Sequence, residues 1–144
     1  MQDLMLKEEK IENMIYEIRQ KQVMLDSDLA RLYNCKNGTK EINQAVGRNI
    51  NKFPERFSWI LTDDESKKVL VTICDQKTET RGGRFKNPRV FTEQGVAMLA
   101  AILKSKIATD VSIAIMDAFV AMRHYIGNNE FRLSNIETKV PKKN

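Results

Sequence analysis

Residues 39–52, TKEINQAVGRNINK, have the spacing of a helix with two unlike faces. At about 100° per residue, the apolar side chains fall on one side and the amides and cations on the other. The apolar face consists of Ile42, Ala45, Val46, Ile50 and Phe53. The polar face consists of Lys40, Asn43, Gln44, Gly47, Asn51 and Lys52, with Arg48 at its flank. A helix of this kind requires a hydrophobic core beneath it.

A shorter helix is predicted directly before this one. Its apolar residues follow two aspartates, whose charge complements the helix dipole. Asn37-Gly38 is a strong turn signal, and Thr39 behind it is a candidate N-cap. Pro54 predicts that the second helix closes at Phe53, because a residue before proline prefers extended geometry. The pattern indicates a helix-turn-helix-like unit.

Short strands are predicted on both sides of this unit. Residues 16–25 suit a hairpin whose strands meet at Gln20-Lys21, although residues 11–18 also have helical spacing. Residues 57–61 alternate as in a strand. Residues 84–91 should be extended, and Pro88 among them predicts an edge strand, because proline cannot donate to a sheet ladder.

Two C-terminal helices are predicted to supply much of the core. The first follows Thr92, a candidate N-cap, and the second begins near Ile107 and keeps helical spacing to Ile126. The residues at 127–129, Gly-Asn-Asn, predict a break. We therefore predict an α+β fold in one small domain, with a helix-turn-helix-like unit, a hairpin, a wing and two packing helices. Residues 1–14 form a helical extension, residues 15–126 the domain, and residues 127–144 a linker or truncated tail.

Size and composition exclude several classes of protein. The chain has 144 residues, 42% of them hydrophobic, which suits one domain with a core. No apolar run is long enough for a membrane span, and the charged N-terminus does not resemble a secretory signal. We expect a cytoplasmic protein without membrane contact. Cys35, Cys74 and His124 do not form a usual zinc set, so no metal, disulfide or small-molecule cofactor is expected.

Positive charge is concentrated in two segments of the chain. The net charge is +5. Residues 34–56 carry five cations against two carboxylates, and residues 77–91 carry five against one. In the second segment, Arg81 and Arg84 flank the pair Gly82-Gly83, and Lys86 follows. Such a turn could approach phosphates as a wing, and polyanions are the expected partner. A disordered polar loop in a merely basic protein is the alternative.

The polar face of residues 39–52 consists of residue types that suit contact with a DNA groove. Amides pair with adenine, arginine pairs with guanine, and lysine neutralises phosphate. The candidate contacts on this face are Lys40, Asn43, Gln44, Arg48, Asn51 and Lys52. Asn49 falls in phase with the apolar face, so a structural hydrogen bond to backbone is expected for it. An ordinary solvated helix face is the alternative.

Catalysis is not expected of this chain. His124 lies beside Arg123 and Tyr125, and no serine or cysteine nucleophile is in register with it. The sequence pattern does not place two carboxylates together in a cleft, as general acid–base catalysis by a carboxylate pair would require. We therefore expect a binding protein and not an enzyme.

Four stretches of the chain resemble one known family. They are VMLDSDLARLY at 23–33, GRNINKFPERFSWILTDDE at 47–65, TRGGRFKNPRVFTEQGVAMLAAILKS at 80–105, and IAIMDAFVAMR at 113–123. Together they resemble the phage open-reading-frame-six N-terminal (ORF-six-N) domain, a relative of the KilA-N and Bro-N domains. The resemblance covers roughly residues 15–125.

The resemblance implies a double-stranded DNA-binding module of a phage or prophage transcription regulator of the antirepressor type. The turn at 34–40 is longer than the family's common form, and Gln20 stands where many members carry glycine. The alternative function is a protein-interaction module that acts on a repressor or self-associates. In that case a homodimer would form through residues 107–126, and DNA binding would be weak.

Overall fold

The protein has an α+β fold, as predicted, and its described residues include one four-stranded antiparallel sheet. The computed structural model describes residues 11–74 and 87–139, with side chains described for residues 11–69 and 87–124. The strands are β1 (Tyr16–Ile18), β2 (Lys21–Leu25), β3 (Ser58–Ile60) and β4 (Arg89–Thr92). The helices are α1 (Asp26–Leu32), α2 (Thr39–Arg48), α3 (Asp63–Cys74), α4 (Glu93–Leu103) and α5 (Lys106–Lys139), with a 3-10 turn at Ile50–Lys52.

Strands β1 and β2 form the predicted hairpin. Residues 11–13 are helical, and Ile18 then pairs with Lys21 across the turn. The two turn residues, Arg19 and Gln20, have φ values of 58° and 62°. Positive φ at both positions is the geometry of a type I′ turn, which matches the twist of the two strands. Gln20 therefore adopts the conformation that glycine adopts most easily.

The sheet has an apolar core on each of its faces. Met24 and Phe91 belong to the larger cluster, which includes residues of α1, α2, α4 and α5. Their strand neighbours Val23 and Val90 belong to a smaller cluster with Val69 of α3. Side chains alternate across a strand, so β2 and β4 contribute to both clusters. The sheet thus lies between α3 and the other helices.

Strand β4 is an interior strand, so the predicted edge position is wrong. The strand order is β1-β2-β4-β3, and β4 pairs with strands on both sides. Pro88 lies immediately before β4, so its missing N–H removes no hydrogen bond from the ladder. Its carbonyl accepts a hydrogen bond from the Leu61 N–H at 2.9 Å.

Helix α4 begins as predicted, with Thr92 at its N-cap. The Thr92 hydroxyl accepts a hydrogen bond from the Gly95 N–H at 3.2 Å. A Cβ at position 95 would lie 2.3 Å from the carbonyl oxygen of Phe57. Glycine is therefore required where α4 meets the chain that leads into β3.

Helix α5 continues past the predicted break, which is therefore wrong. It extends from Lys106 to Lys139, through the glycine and asparagines at 127–129. A glycine inside a helix costs only about 1 kcal/mol relative to alanine, and a long helix can absorb this. None of the helices in the described part of the chain is both long and apolar enough to cross a membrane.

Candidate nucleic-acid interface

Helices α1 and α2 are joined by residues 33–38. Asn34 and Gly38 in this turn have positive φ values of 58° and 65°. The Cys35 N–H donates to the Ala30 carbonyl at 3.0 Å, and the Gly38 N–H donates to the Cys35 carbonyl at 3.1 Å. The predicted cap at Thr39 is wrong, because Gly38 occupies the N-cap and no side chain caps the helix.

The inner face of α2 is buried, largely as predicted. Ile42, Ala45 and Val46 are buried, and so is Phe53 just after the 3-10 turn. The ring of Phe53 meets Phe91 of β4 edge-on, with 6.0 Å between the ring centroids. This contact joins the end of the α2 segment to the sheet.

Ile50 does not belong to the inner face, and its predicted burial is wrong. It is 55% exposed. The α-helix ends at Arg48, not at Phe53, and Asn49 leaves helical geometry with φ −128° and ψ 35°. The 3-10 turn that follows changes the phase of the chain, so helical spacing no longer gives the direction of Ile50.

Asn49 has the structural role predicted for it. Its side-chain amide donates to the carbonyl of Ala45 at 2.9 Å. That carbonyl belongs to the last turn of α2, where backbone acceptors have no partner within the helix. Asn49 therefore stabilises the end of the helix.

Asn43 is held by the protein itself. Its amide nitrogen donates to Asp26 Oδ2 at 2.9 Å and to the Thr39 carbonyl at 3.2 Å. Asp26 is only 4% exposed and lies at the first position of α1. Asn43 was predicted from its helical phase as a base contact, but both of its amide hydrogens already have acceptors.

The remaining predicted contacts of the α2 segment are exposed. None of them forms a side-chain hydrogen bond or ion pair with another residue in the described ranges. They are Lys40, Gln44 and Arg48 of α2, with Asn51 and Lys52 of the 3-10 turn. We call this set, together with the exposed Gly47, the outer face of α2.

Arg19, in the hairpin turn, is engaged in contacts within the protein. Arg19 Nε donates to Glu65 Oε2 at 2.7 Å, and its guanidinium lies 4.5 Å from the centre of the Trp59 ring. Hydrogen bonding to Arg19 lowers the pKa of Glu65. Glu65 also accepts from the Thr62 N–H at 2.9 Å, while the Thr62 hydroxyl accepts from the Glu65 N–H. The capping box stabilises the start of α3. The ion pair between Glu65 and Arg19 joins that start to the hairpin.

Arg89 lies where the second basic segment enters the sheet. Its backbone N–H donates to Asp26 Oδ2 at 3.1 Å, and its guanidinium donates to the Ser58 hydroxyl at 3.0 Å. Burial lowers the pKa of Arg89, while the charge of Asp26 acts in the opposite direction. The predicted wing residues Arg81, Gly82, Gly83, Arg84 and Lys86 lie outside the described residues.

The sequence did not reveal two features of this region. It assigned Asp26 only to the helix dipole, and it did not anticipate the cluster around Arg19. No local pattern could have found these contacts, because Asp26 meets partners 17 and 63 residues away. Within the described ranges, no group of three or more histidine, cysteine or acidic side chains could hold a metal ion.

Comparison with known families agrees with this architecture. The family model of the ORF6N domain matches residues 13–102, which is more than half of the chain. The matched range contains the helix-turn-helix unit and all four strands of the described sheet. No curated protein and no solved structure matches the chain significantly. The ORF6N domain is a phage-associated family, which is consistent with a regulator. The chain belongs to the ORF6N domain family.

Proposed function

We propose that this chain is a sequence-specific, double-stranded DNA-binding module of a phage or prophage transcription regulator. The regulator is of the antirepressor type, and the module acts by binding, without catalysis, in the bacterial cytoplasm. One observation carries the proposal. The outer face of α2 groups amides and cations that are exposed and without partners among the described residues. A duplex supplies acceptors and donors for all of these groups.

The side chains of the outer face have different tasks in this proposal. Gln44 and Asn51 can pair with adenine, and Arg48 can pair with guanine or with phosphate. Lys40 and Lys52 neutralise phosphates near the two ends of the segment. Asn43 is omitted from the base contacts, because its amide hydrogens are donated within the protein.

The second basic segment adds phosphate contacts as a wing. Its residues Arg81, Gly82, Gly83, Arg84 and Lys86 are assigned from the sequence alone. The described end of this segment is Arg89, whose N–H is bonded to Asp26 at the start of α1. Arg89 therefore lies beside the helix-turn-helix unit.

The test is a salt titration on a duplex selected from random DNA. The logarithm of the binding constant should fall linearly with the logarithm of salt concentration. The double substitution of Arg48 and Arg84 by alanine should weaken binding and reduce the slope by about 2, roughly one for each lost phosphate contact. Lys106→Ala is the control, because this exposed lysine on α5 lies outside the helix-turn-helix unit.

Two results would contradict the proposal. The first is no duplex binding by the unmodified protein at low salt. The second is an unchanged slope in the double variant, or a change no larger than that of the Lys106→Ala control.

A second candidate function is self-association through residues 107–126. It is favoured by three large apolar side chains on α5 that are exposed, namely Ile107 (47%), Ile113 (58%) and Val120 (38%). Ile113 and Val120 are seven residues apart, so they lie on one face of the helix. Analytical ultracentrifugation should show a dimer that Ile113→Asp dissociates. A monomer at high concentration would exclude this interface.

A further inference from the structure

Asp26 joins three elements of the fold through one buried oxygen. Its carboxylate is 4% exposed and lies at the first residue of α1. Oδ2 accepts one hydrogen bond from the Asn43 amide of α2 at 2.9 Å. The same oxygen accepts another from the backbone N–H of Arg89, the first residue of β4, at 3.1 Å. This oxygen therefore connects α2 with the end of the second basic segment.

Burial makes these contacts obligatory. A buried carboxylate is costly unless donors surround it, and here it has two donors and the N-terminal end of α1. The donors depend on Asp26 in turn, because an unpaired buried N–H is also costly. The orientation of the Asn43 amide follows from the same contact, since its oxygen would be repelled by the carboxylate.

The contact is made by α2 at a residue adjacent to its outer face. Asn43 is next to Gln44 in the chain, and one helical turn separates it from Lys40 and Gly47. Hydrophobic contacts of Ile42 and Val46 hold the helix on the core, but the hydrophobic effect is non-directional. A hydrogen bond is directional and therefore adds a restriction on the orientation of the helix. Base contacts require such restriction, since a shift of about 1 Å loosens a binding site.

We propose that Asp26 is a positioning residue for DNA recognition. It fixes the angle of α2 relative to the start of β4, and with it the orientation in which the outer face of α2 meets the duplex. This inference rests on the proposed DNA-binding function. In it, Asn43 contributes to recognition through Asp26 and not by contact with a base.

The experiment compares Asp26→Ala with Asp26→Asn. Both substitutions remove the same negative charge, but only asparagine keeps an oxygen that can accept from Asn43 and Arg89. Affinity is measured for the duplex selected by the unmodified protein and for a scrambled duplex of equal length. The ratio of the two affinities measures specificity, and non-specific electrostatic changes affect both variants equally.

Asp26→Ala should reduce the specificity ratio roughly tenfold or more, as expected from the loss of one or two buried hydrogen bonds. Asp26→Asn should stay within about threefold of the unmodified protein. Affinity for the scrambled duplex should be the same in both variants. Stoichiometric titration gives the active fraction, so a partly unfolded sample is not mistaken for a change in specificity.

Asn43→Ala is the second variant, in case Asp26→Ala does not fold. It removes one donor and leaves the contact between Asp26 and Arg89 in place. Its specificity ratio should also fall, with the salt dependence unchanged. An unchanged ratio in fully active Asn43→Ala would overturn the proposal. So would an equal loss in the alanine and asparagine variants of Asp26.

Failure of the proposed function has a different signature. In that case the unmodified protein shows no preference between the selected and scrambled duplexes, and the positioning role falls with it. If the unmodified protein is specific and the variants are too, only the role of Asp26 is overturned.

Discussion

The amides of the α2 segment are used in two opposite ways. Those of Asn43 and Asn49 donate to acceptors within the protein, each at 2.9 Å. Those of Gln44 and Asn51 are exposed and have no such partner in the described chain. An amide therefore has no fixed role by residue type. Its position relative to the core determines whether it stabilises the fold or can bind a ligand.

The largest expected effect is a loss of stability caused by a substitution on the inner face of α2. Ile42 is fully buried and Ile50 is 55% exposed, so they form a matched pair in one segment. Ile42→Ala should lower the free energy of unfolding by about 2–5 kcal/mol, from lost burial and the cavity left behind. Ile50→Ala should change it by less than about 0.5 kcal/mol. Urea unfolding measures both, and equal effects would mean that the chain after Arg48 packs differently.

A smaller effect concerns the support beneath the helix pair. The hydroxyl of Tyr33, just after α1, lies 2.7 Å from the hydroxyl of Ser112 on α5. Burial raises the pKa of Tyr33 to about 12. A raised pKa in the folded state stabilises the fold below the ordinary value near 10, and this stabilisation is lost as pH rises toward 12.

The expected loss between these pH values is about 2–3 kcal/mol. About half of this loss should appear between pH 9 and pH 11, as a fall in the free energy of urea unfolding that is steeper in the unmodified protein than in Tyr33→Phe. The two proteins share all other titrating groups. Parallel curves would show that the Tyr33 hydroxyl is not buried against α5.

The smallest expected effect comes from substituting single amides, and it distinguishes the structural amide of Asn49 from the exposed amide of Gln44. Asn49→Ala should cost about 1 kcal/mol of stability, because the Ala45 carbonyl loses its donor. It should leave duplex affinity unchanged. Gln44→Ala should do the reverse, with weaker binding and a stability change below about 0.5 kcal/mol. Thermal unfolding measures the stability of each variant, and fluorescence anisotropy measures its affinity for the duplex. A loss of affinity in an Asn49→Ala sample that is fully able to bind would show that Asn49 does not have a purely structural role.

Periodicity predicted the parts of this fold that depend on neighbouring residues. It found the buried positions Ile42 and Val46, the hairpin, and the Thr92 cap. It failed at Ile50, because helical spacing assumes a regular helix and the backbone changes at Asn49. Such a change depends on local geometry that residue spacing does not contain.

The features of the site that the sequence could not predict depend on contacts between residues far apart in the chain. The burial of Asp26 depends on donors from α2 and β4, which the fold brings together. The interior position of β4 depends on which strands flank it, and Pro88 misled because it lies just before the strand. The sequence therefore proposed the outer face of α2 but not the contact that holds it.

The most direct test of the central claim is an NMR titration of the ¹⁵N-labelled protein with the selected duplex. Contact through the outer face predicts the largest shift changes at the Gln44 side-chain amide and at the backbone amides of Gly47 and Arg48. The backbone amides of residues 107–120 on α5 should change little. Changes confined to α5, with none in residues 40–52, would contradict recognition of DNA by α2.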